Sequence, residues 1–220
     1  AEASGVQVSV LTILEDAAQR VSAITSHGLS QLRFAMIEDF EAEIGPDIAR
    51  LLASLFPDCQ FKHMTRVSHE ILGLLKDRKL DIGVCTCPET AVPDVTELAL
   101  LNDPFVLAVP QGCMVTGAAL IGGASDLPLL RYSDDQIIGR MIAAQLRRLR
   151  LSLDHSFELD STASMLGIIA QEGGWAITTP SNYMRSQRFR SQIKLLPFPG
   201  KGFARRISVF VGEPRAEPVA

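Results

Sequence analysis

An α/β fold, with parallel sheets flanked by helices, is what this sequence predicts. Short apolar runs of strand length alternate with longer segments whose apolar residues recur at helical spacing. Breaks at Pro57 and at Gly173-Gly174 separate these segments at crossover spacing. The composition is globular, with 47% hydrophobic and 21% charged residues, and 220 residues can bury the core of a two-lobed domain.

The first segment, Val6 to Ile24, places Val10, Ile13, Leu14, Ala17, Ala18, Val21 and Ile24 on one helical face. Glu15, Asp16, Gln19 and Arg20 fall on the other. Thr25 to Gly28 ends this helix, which reads as a truncated connector or an oligomer contact. Leu32 to Ile37 is a buried strand. Pro46 to Phe56 is a helix with Pro46 near its first turn, where a missing N–H costs little. Cys59 to Thr65 is the second strand. Ser68 precedes Ile71, Leu72, Leu74 and Leu75 as an N-cap. Leu80 to Cys85 and Phe105 to Val109 are the third and fourth strands.

The stretch Gln111 to Ser125 is Gly-rich and fits neither element. Ser133-Asp134-Asp135 is a capping signature for a helix over Gln136 to Leu151. A strand at Ser156 to Leu159 and a helix at Ser161 to Glu172 come after it. Then come a strand at Trp175 to Thr178, a helix at Pro180 to Arg188, and strands at Ile193 to Pro197 and Arg206 to Val211. Arg215 to Ala220 reads as a frayed end, and Trp175 as a core residue.

Several function classes are disfavoured. The net charge is −4, and the nearest basic cluster is Arg147, Arg148 and Arg150, so the fragment alone is a poor nucleic-acid binder. No apolar run spans a membrane, and Ala1 to Gly5 lacks a signal-peptide pattern, so the expected location is cytoplasmic. Cys59, Cys85, Cys87 and Cys113 form no zinc spacing and no disulfide framework. His27, His63, His69 and His155 show no metal spacing. No strained nucleophile elbow exists, so neither catalysis, nor a metal, nor a cofactor is expected. Cys85 and Cys87 lie two apart near a strand end. A metal- or oxidant-sensing thiol pair is one reading, and structural thiols are the favoured one.

Four segments resemble the LysR-type transcriptional regulators. They are VLTILEDAAQRVSAI followed by QLRFAMIED, P-x-I-x-x-L-L-x-x-L-F-P from Pro46 to Pro57, LLKDRKLDIGV from Leu74 to Val84, and GIIAQEGGWAITTP from Gly167 to Pro180. The resemblance covers nearly the whole chain and identifies it as an effector-binding domain of that family. It implies two Rossmann-like lobes joined by two crossover strands, as in type II periplasmic binding proteins, with a ligand cleft between them. Residues 1–29 would be the end of a linker helix. Lobe I would be residues 30–109 plus 194–220, and lobe II residues 110–193, with crossings near Val109–Pro110 and Gln192–Leu195. The family's winged helix-turn-helix is not among these residues, so DNA binding is implied only through that missing N-terminal domain. The resemblance also implies a homodimer or tetramer pairing the helices Ser68 to Lys79 and Asp134 to Arg150.

Ligands of open α/β sheets sit beyond the carboxyl ends of strands. That rule selects Glu38 and Asp39, then Thr65, Arg66 and Ser68, then Thr86. In the second half it selects Arg131, Tyr132 and Ser133, then Ser161 and Thr162, then Thr178 and Thr179. Ser68, Ser133 and Ser161 are equally readable as plain N-caps. Glu38 and Asp39 would receive a cationic group, or stabilise a helix N-terminus. The helix-terminus or solvated-loop reading is favoured for Glu41 and Glu43. Arg66 or Arg131 would clamp a carboxylate, so the expected effector is cationic or zwitterionic. The alternatives are a free-standing solute-binding protein of the same fold, an enzyme on it, or a thiol redox sensor of the same family.

Overall fold

The computed structural model describes residues 11–21, 30–88, 90–200 and 202–212. It divides into two compact units, one made of Ala1–Leu101 with Arg206–Ala220, the other of Asn102–Arg205. Residues 11–21 form helix α1, which buries Leu14, Ala17 and Ala18 as their spacing predicts. The first unit continues as β1 (Gln31–Met36), α2 (Glu38–Leu55), β2 (Gln60–Thr65), α3 (Ser68–Lys76), β3 (Ile82–Thr86) and β4 (Val95–Pro104). The second holds β5 (Val106–Pro110), α4 (Gly117–Ile121), β6 (Leu129–Tyr132), α5 (Ile137–Arg148), β7 (His155–Leu159), α6 (Thr162–Ala170), β8 (Trp175–Thr178), α7 (Pro180–Arg185) and β9 (Ile193–Pro197). The chain then returns to the first unit as β10 (Ala204–Gly212).

Each unit is built on a five-stranded sheet, ordered β2-β1-β3-β10-β4 in the first and β7-β6-β8-β5-β9 in the second. The strands β2, β1 and β3 are parallel, as are β7, β6 and β8. The sheets are nevertheless mixed, not parallel as expected. β10 runs antiparallel to β3, and β5 runs antiparallel to both β8 and β9. Strands β3 and β8 are buried throughout, which is why they read as unbroken apolar runs. At Gly83 an added Cβ would lie 2.5 Å from Ile71 Cγ2, so the missing side chain is what lets α3 close on β3. Each fully buried Leu or Ile in these cores contributes about 1.5–3 kcal/mol.

The units divide at Leu101/Asn102 and Arg205/Arg206, not at the expected crossings near Val109–Pro110 and Gln192–Leu195. The reason is pairing. β5 and β9 hydrogen-bond to each other and β5 to β8, which makes both members of the second sheet. The crossings lie instead within β4 and β10, and β4, whose apolar residues are interrupted by polar ones, had no strand expectation.

Three further expectations change. Helix α2 begins at Glu38, so Pro46 lies inside it and not in its first turn. The Gly-rich stretch contains α4, capped by Thr116, whose side chain accepts from the Ala119 N–H. The expected helix at Pro180 to Arg188 is α7 followed by a 3-10 turn at Gln187–Phe189. Trp175 is buried in the second core. Thr25 to Gly28 and Arg215 to Ala220 lie outside the described residues.

Candidate functional site

In the first unit β1 and β2 end level, with Met36 in register with Thr65, and β3 runs two residues past Val84, the other partner of Met36. The residues just beyond each strand therefore gather on one sheet edge. After β1 come Glu38 and Asp39, the first two residues of α2, with Glu41 also in its first turn. Carboxylates there face the positive end of the helix dipole. The helix-terminus reading of this cluster thus describes where Glu38, Asp39 and Glu41 stand, and the loop reading does not. Glu38 is exposed, Asp39 is half-buried, and Glu43 carries no described side chain.

After β2, Arg66 folds back so that Nη1 donates to the Thr65 carbonyl at 2.8 Å, and it pairs with Glu70 at 3.6 Å. Ser68 is not an N-cap. Val67 holds that position, and Ser68 is the first helical residue, with its Oγ accepting from the Thr86 N–H at 3.2 Å. The bond ties the N-terminus of α3 to the end of β3 and accounts for the burial of both residues.

The second unit repeats the arrangement on β6, β7 and β8, where Tyr132 lies in register with Leu159. The Tyr132 hydroxyl is a hub. It lies 2.9 Å from Thr178 Oγ1 and 3.2 Å from Thr162 Oγ1, and accepts from Asn182 Nδ2 at 3.1 Å. One donor and two acceptor sites satisfy all three partners. The threonine hydroxyls are thereby held inside, Thr178 with no exposed surface at all. They brace the strand-end turns from beneath. Sequence reasoning placed Tyr132 on this edge but could not see that it joins residues 30 to 50 positions away.

Ser161 caps α6, accepting from the Ser164 N–H at 3.3 Å. Ser133 does not cap α5. Gln136 holds that position, and Ser133 Oγ closes a turn by accepting from the Asp135 N–H. The turn is pressed against α5. An added Cβ at Gly139 would lie 2.1 Å from the Ser133 carbonyl oxygen, so only glycine fits. Arg140 donates to the carbonyls of Asp134 and Asp135. Arg131 is half-buried and pairs with Asp134 at 2.8 Å, leaving it partly engaged before any ligand arrives.

One group the sequence reading missed lies behind Thr179. Arg205 and Asp103 form an ion pair in which each side chain is 3% exposed, with Nε and Nη2 at 2.9 and 2.8 Å from Oδ2. Arg205 Nη2 also donates to Thr179 Oγ1 at 3.0 Å. Asp103 and Arg205 are 102 positions apart, and no local pattern links them.

The Cys85 and Cys87 thiols are both shifted away from the thiolate form. Burial pushes the Cys85 thiol far above its ordinary range, helped by the neighbouring Cys87 and Glu97. Cys87 is raised as well. Burial is the main cause, and a hydrogen bond to Glu97 adds to it, while the Arg206 guanidinium works against both. A raised thiol pKa means less thiolate, the form that reacts. Among the described residues no cluster of three or more His, Cys, Asp or Glu could hold a metal. No described helix is long and apolar enough to cross a membrane.

Comparison with known proteins gives a consistent result. The family described as the LysR substrate binding domain matches residues 27–220. No curated protein matches the chain. Among solved structures, the effector binding domain of QuiR in complex with shikimate is similar at a TM-score of 0.67 and 16% identity, covering 86% of this chain and 90% of that one. The BenM effector binding domain with its effector benzoate is similar at 0.68 and 16%, covering 84% of each chain. A cysteine-to-serine mutant of OxyR from Corynebacterium glutamicum, H2O2-bound, is similar at 0.68 and 18%, covering 91% of this chain and 65% of that one.

Proposed function

The chain belongs to the LysR substrate binding domain family, and from that premise we propose that it senses a small cationic or zwitterionic molecule at its strand-end turns. The observation that carries the charge preference is the opening of α2. Glu38 and Asp39 bring two carboxylates to the edge where β1 ends. An amine would be received there. The second unit offers the opposite preference at its own edge. The N-terminus of α6 carries no acidic residue in its first turn and favours an anionic group, as does Arg131. Thr65, Arg66 and Ser161 complete the polar rims. Ser68, Thr86, Thr162 and Thr178 hold the turns in place.

Sensing requires that the effector bind one conformation of the domain better than another, since equal affinity shifts nothing. A coupling of about 1–3 kcal/mol is the usual scale. The readout would be DNA binding by a head outside this sequence. That head would be brought together by a homodimer or tetramer through α3 and α5. A thiol-sensing reading is disfavoured by the burial that raises the Cys85 and Cys87 thiols.

A thermal-shift screen against amino acids, amines, organic acids and sugars tests the proposal. A binder at about 100 times its Kd adds about 2.7 kcal/mol, or about 5–10 °C for a chain of this size. The expected result is a shift with a zwitterion or amine that Glu38→Gln removes. Shifts with anions or sugars alone would overturn the charge preference.

A further inference from the structure

The function proposed above uses no residue of 113–118, which enter and open α4, or of 194–199, which form β9 and the chain leaving it. Those two segments enclose an open groove of about 550 Å³ within the second unit. Val115 and Ala118 line one wall, and Leu196 and Phe198 the other. Among the residues lining it only Lys194 is charged. Its ammonium donates to the Cys113 carbonyl, and a lysine ammonium has three donors, so two remain for another acceptor. Met114, also on the groove, is 91% exposed. A solvent-bathed, unbranched thioether beside an apolar trough is well suited to fold over an apolar guest.

The volume falls within the range for single small molecules. A protein partner is a poorer fit. The other large apolar residues exposed on this unit are Leu149, Phe157 and Met184, which come after α5 or lie on β7 and α7, not on the groove. The apolar surface is therefore local, and smaller than a stable protein interface needs. The single positive charge selects a monoanion, since a second negative charge would find no second cation among the lining residues.

We propose that this groove is a second ligand site, for an apolar molecule ending in a carboxylate. Lys194 supplies the counter-charge and Met114 covers the apolar part. The site shares no residue with the strand-end turns named above, and its test does not depend on the effector being known. The domain is labelled at its methionine methyl carbons, and the Met114 resonance is followed by NMR during titration with 4-phenylbutyrate and, separately, its primary amide. The expected result is a saturable shift of Met114 with the acid, and binding of the amide at least about tenfold weaker, since a charge-assisted bond is lost. Lys194→Gln should remove the preference for acid over amide. Ala118→Trp, an exposed position on the groove wall, should block both while the other methionine resonances stay in place. The proposal is overturned if Met114 does not respond to millimolar acid, if acid and amide bind alike, or if Lys194→Gln leaves the preference intact.

Discussion

Replacing Arg205 by methionine should be among the most damaging single changes to the second unit. The guanidinium holds Asp103 through two nitrogens at 2.8 and 2.9 Å, and both side chains are 3% exposed. Methionine fills much of the volume but leaves a buried carboxylate without its counter-ion, keeping only a long 3.5 Å contact from the Ser181 N–H among the described bonds. Breaking such a pair from one side costs about 3–5 kcal/mol, and Thr179 loses the donor that its hydroxyl accepts from. Trp175 is the sole tryptophan and sits in the second core, so its fluorescence reports this unit specifically. In urea, a small domain has a slope of about 1–3 kcal/mol per molar, which converts the loss into a midpoint lower by about 2 M. The double change Arg205→Met with Asp103→Leu removes both charges and should recover most of the loss, because apolar replacement of a whole buried pair is often close to neutral. A single-variant loss below about 1 kcal/mol would refute the reasoning. So would a double variant as unstable as the two single losses added together.

Three other outcomes are expected from the same structure. Gly139→Ala forces a Cβ to within 2.1 Å of the Ser133 carbonyl oxygen and should lose about 2–3 kcal/mol in chemical unfolding; a neutral result would mean that α5 slides freely on its turn. Tyr132→Phe removes the shared partner of Thr162, Thr178 and Asn182, and should cost about 1–3 kcal/mol with faster amide exchange at 132–133 and 178–179. Stability should fall in alkaline solution. Burial raises the Cys85 pKa above its unfolded value, so its contribution is complete below the ordinary thiol range near 8.5 and declines as pH rises beyond it. The slope approaches about 1.4 kcal/mol per pH unit for one proton, and Cys85→Ala should flatten it in a series of urea midpoints from pH 7 to 10.

The strands legible in the sequence were short runs rich in apolar residues with sharp bounds, whether buried as β8 is or largely exposed as β2 is. Trp175 to Thr178 and Ile193 to Pro197 were read at their observed limits, the first framed by a glycine pair and a proline. Proline misled at Pro46, where a helix that had already run for eight residues was read as starting. Proline's lost N–H is tolerable inside a helix when packing on both sides holds it, and Phe40, Ile48 and Leu52 are all in the core. Strand β4 escaped notice because polar residues such as Glu97, Asn102 and Asp103 interrupt its apolar residues. The cap positions at Ser68 and Ser133 were displaced by one and three residues, near the usual uncertainty of helix ends. The candidate site was legible as a set of strand-end residues. Its division into outward groups and inward braces was not, because Tyr132, Asn182, Asp103 and Arg205 meet only through the fold.

The central claim is that the strand-end turns receive the effector. Hydrogen exchange, with and without the strongest hit of the thermal-shift screen, tests it most directly. The account predicts protection concentrated at residues 37–40, 65–68, 131–134, 160–163 and 178–181. Protection confined to other segments, with these turns unchanged under a saturating stabilising ligand, would contradict it.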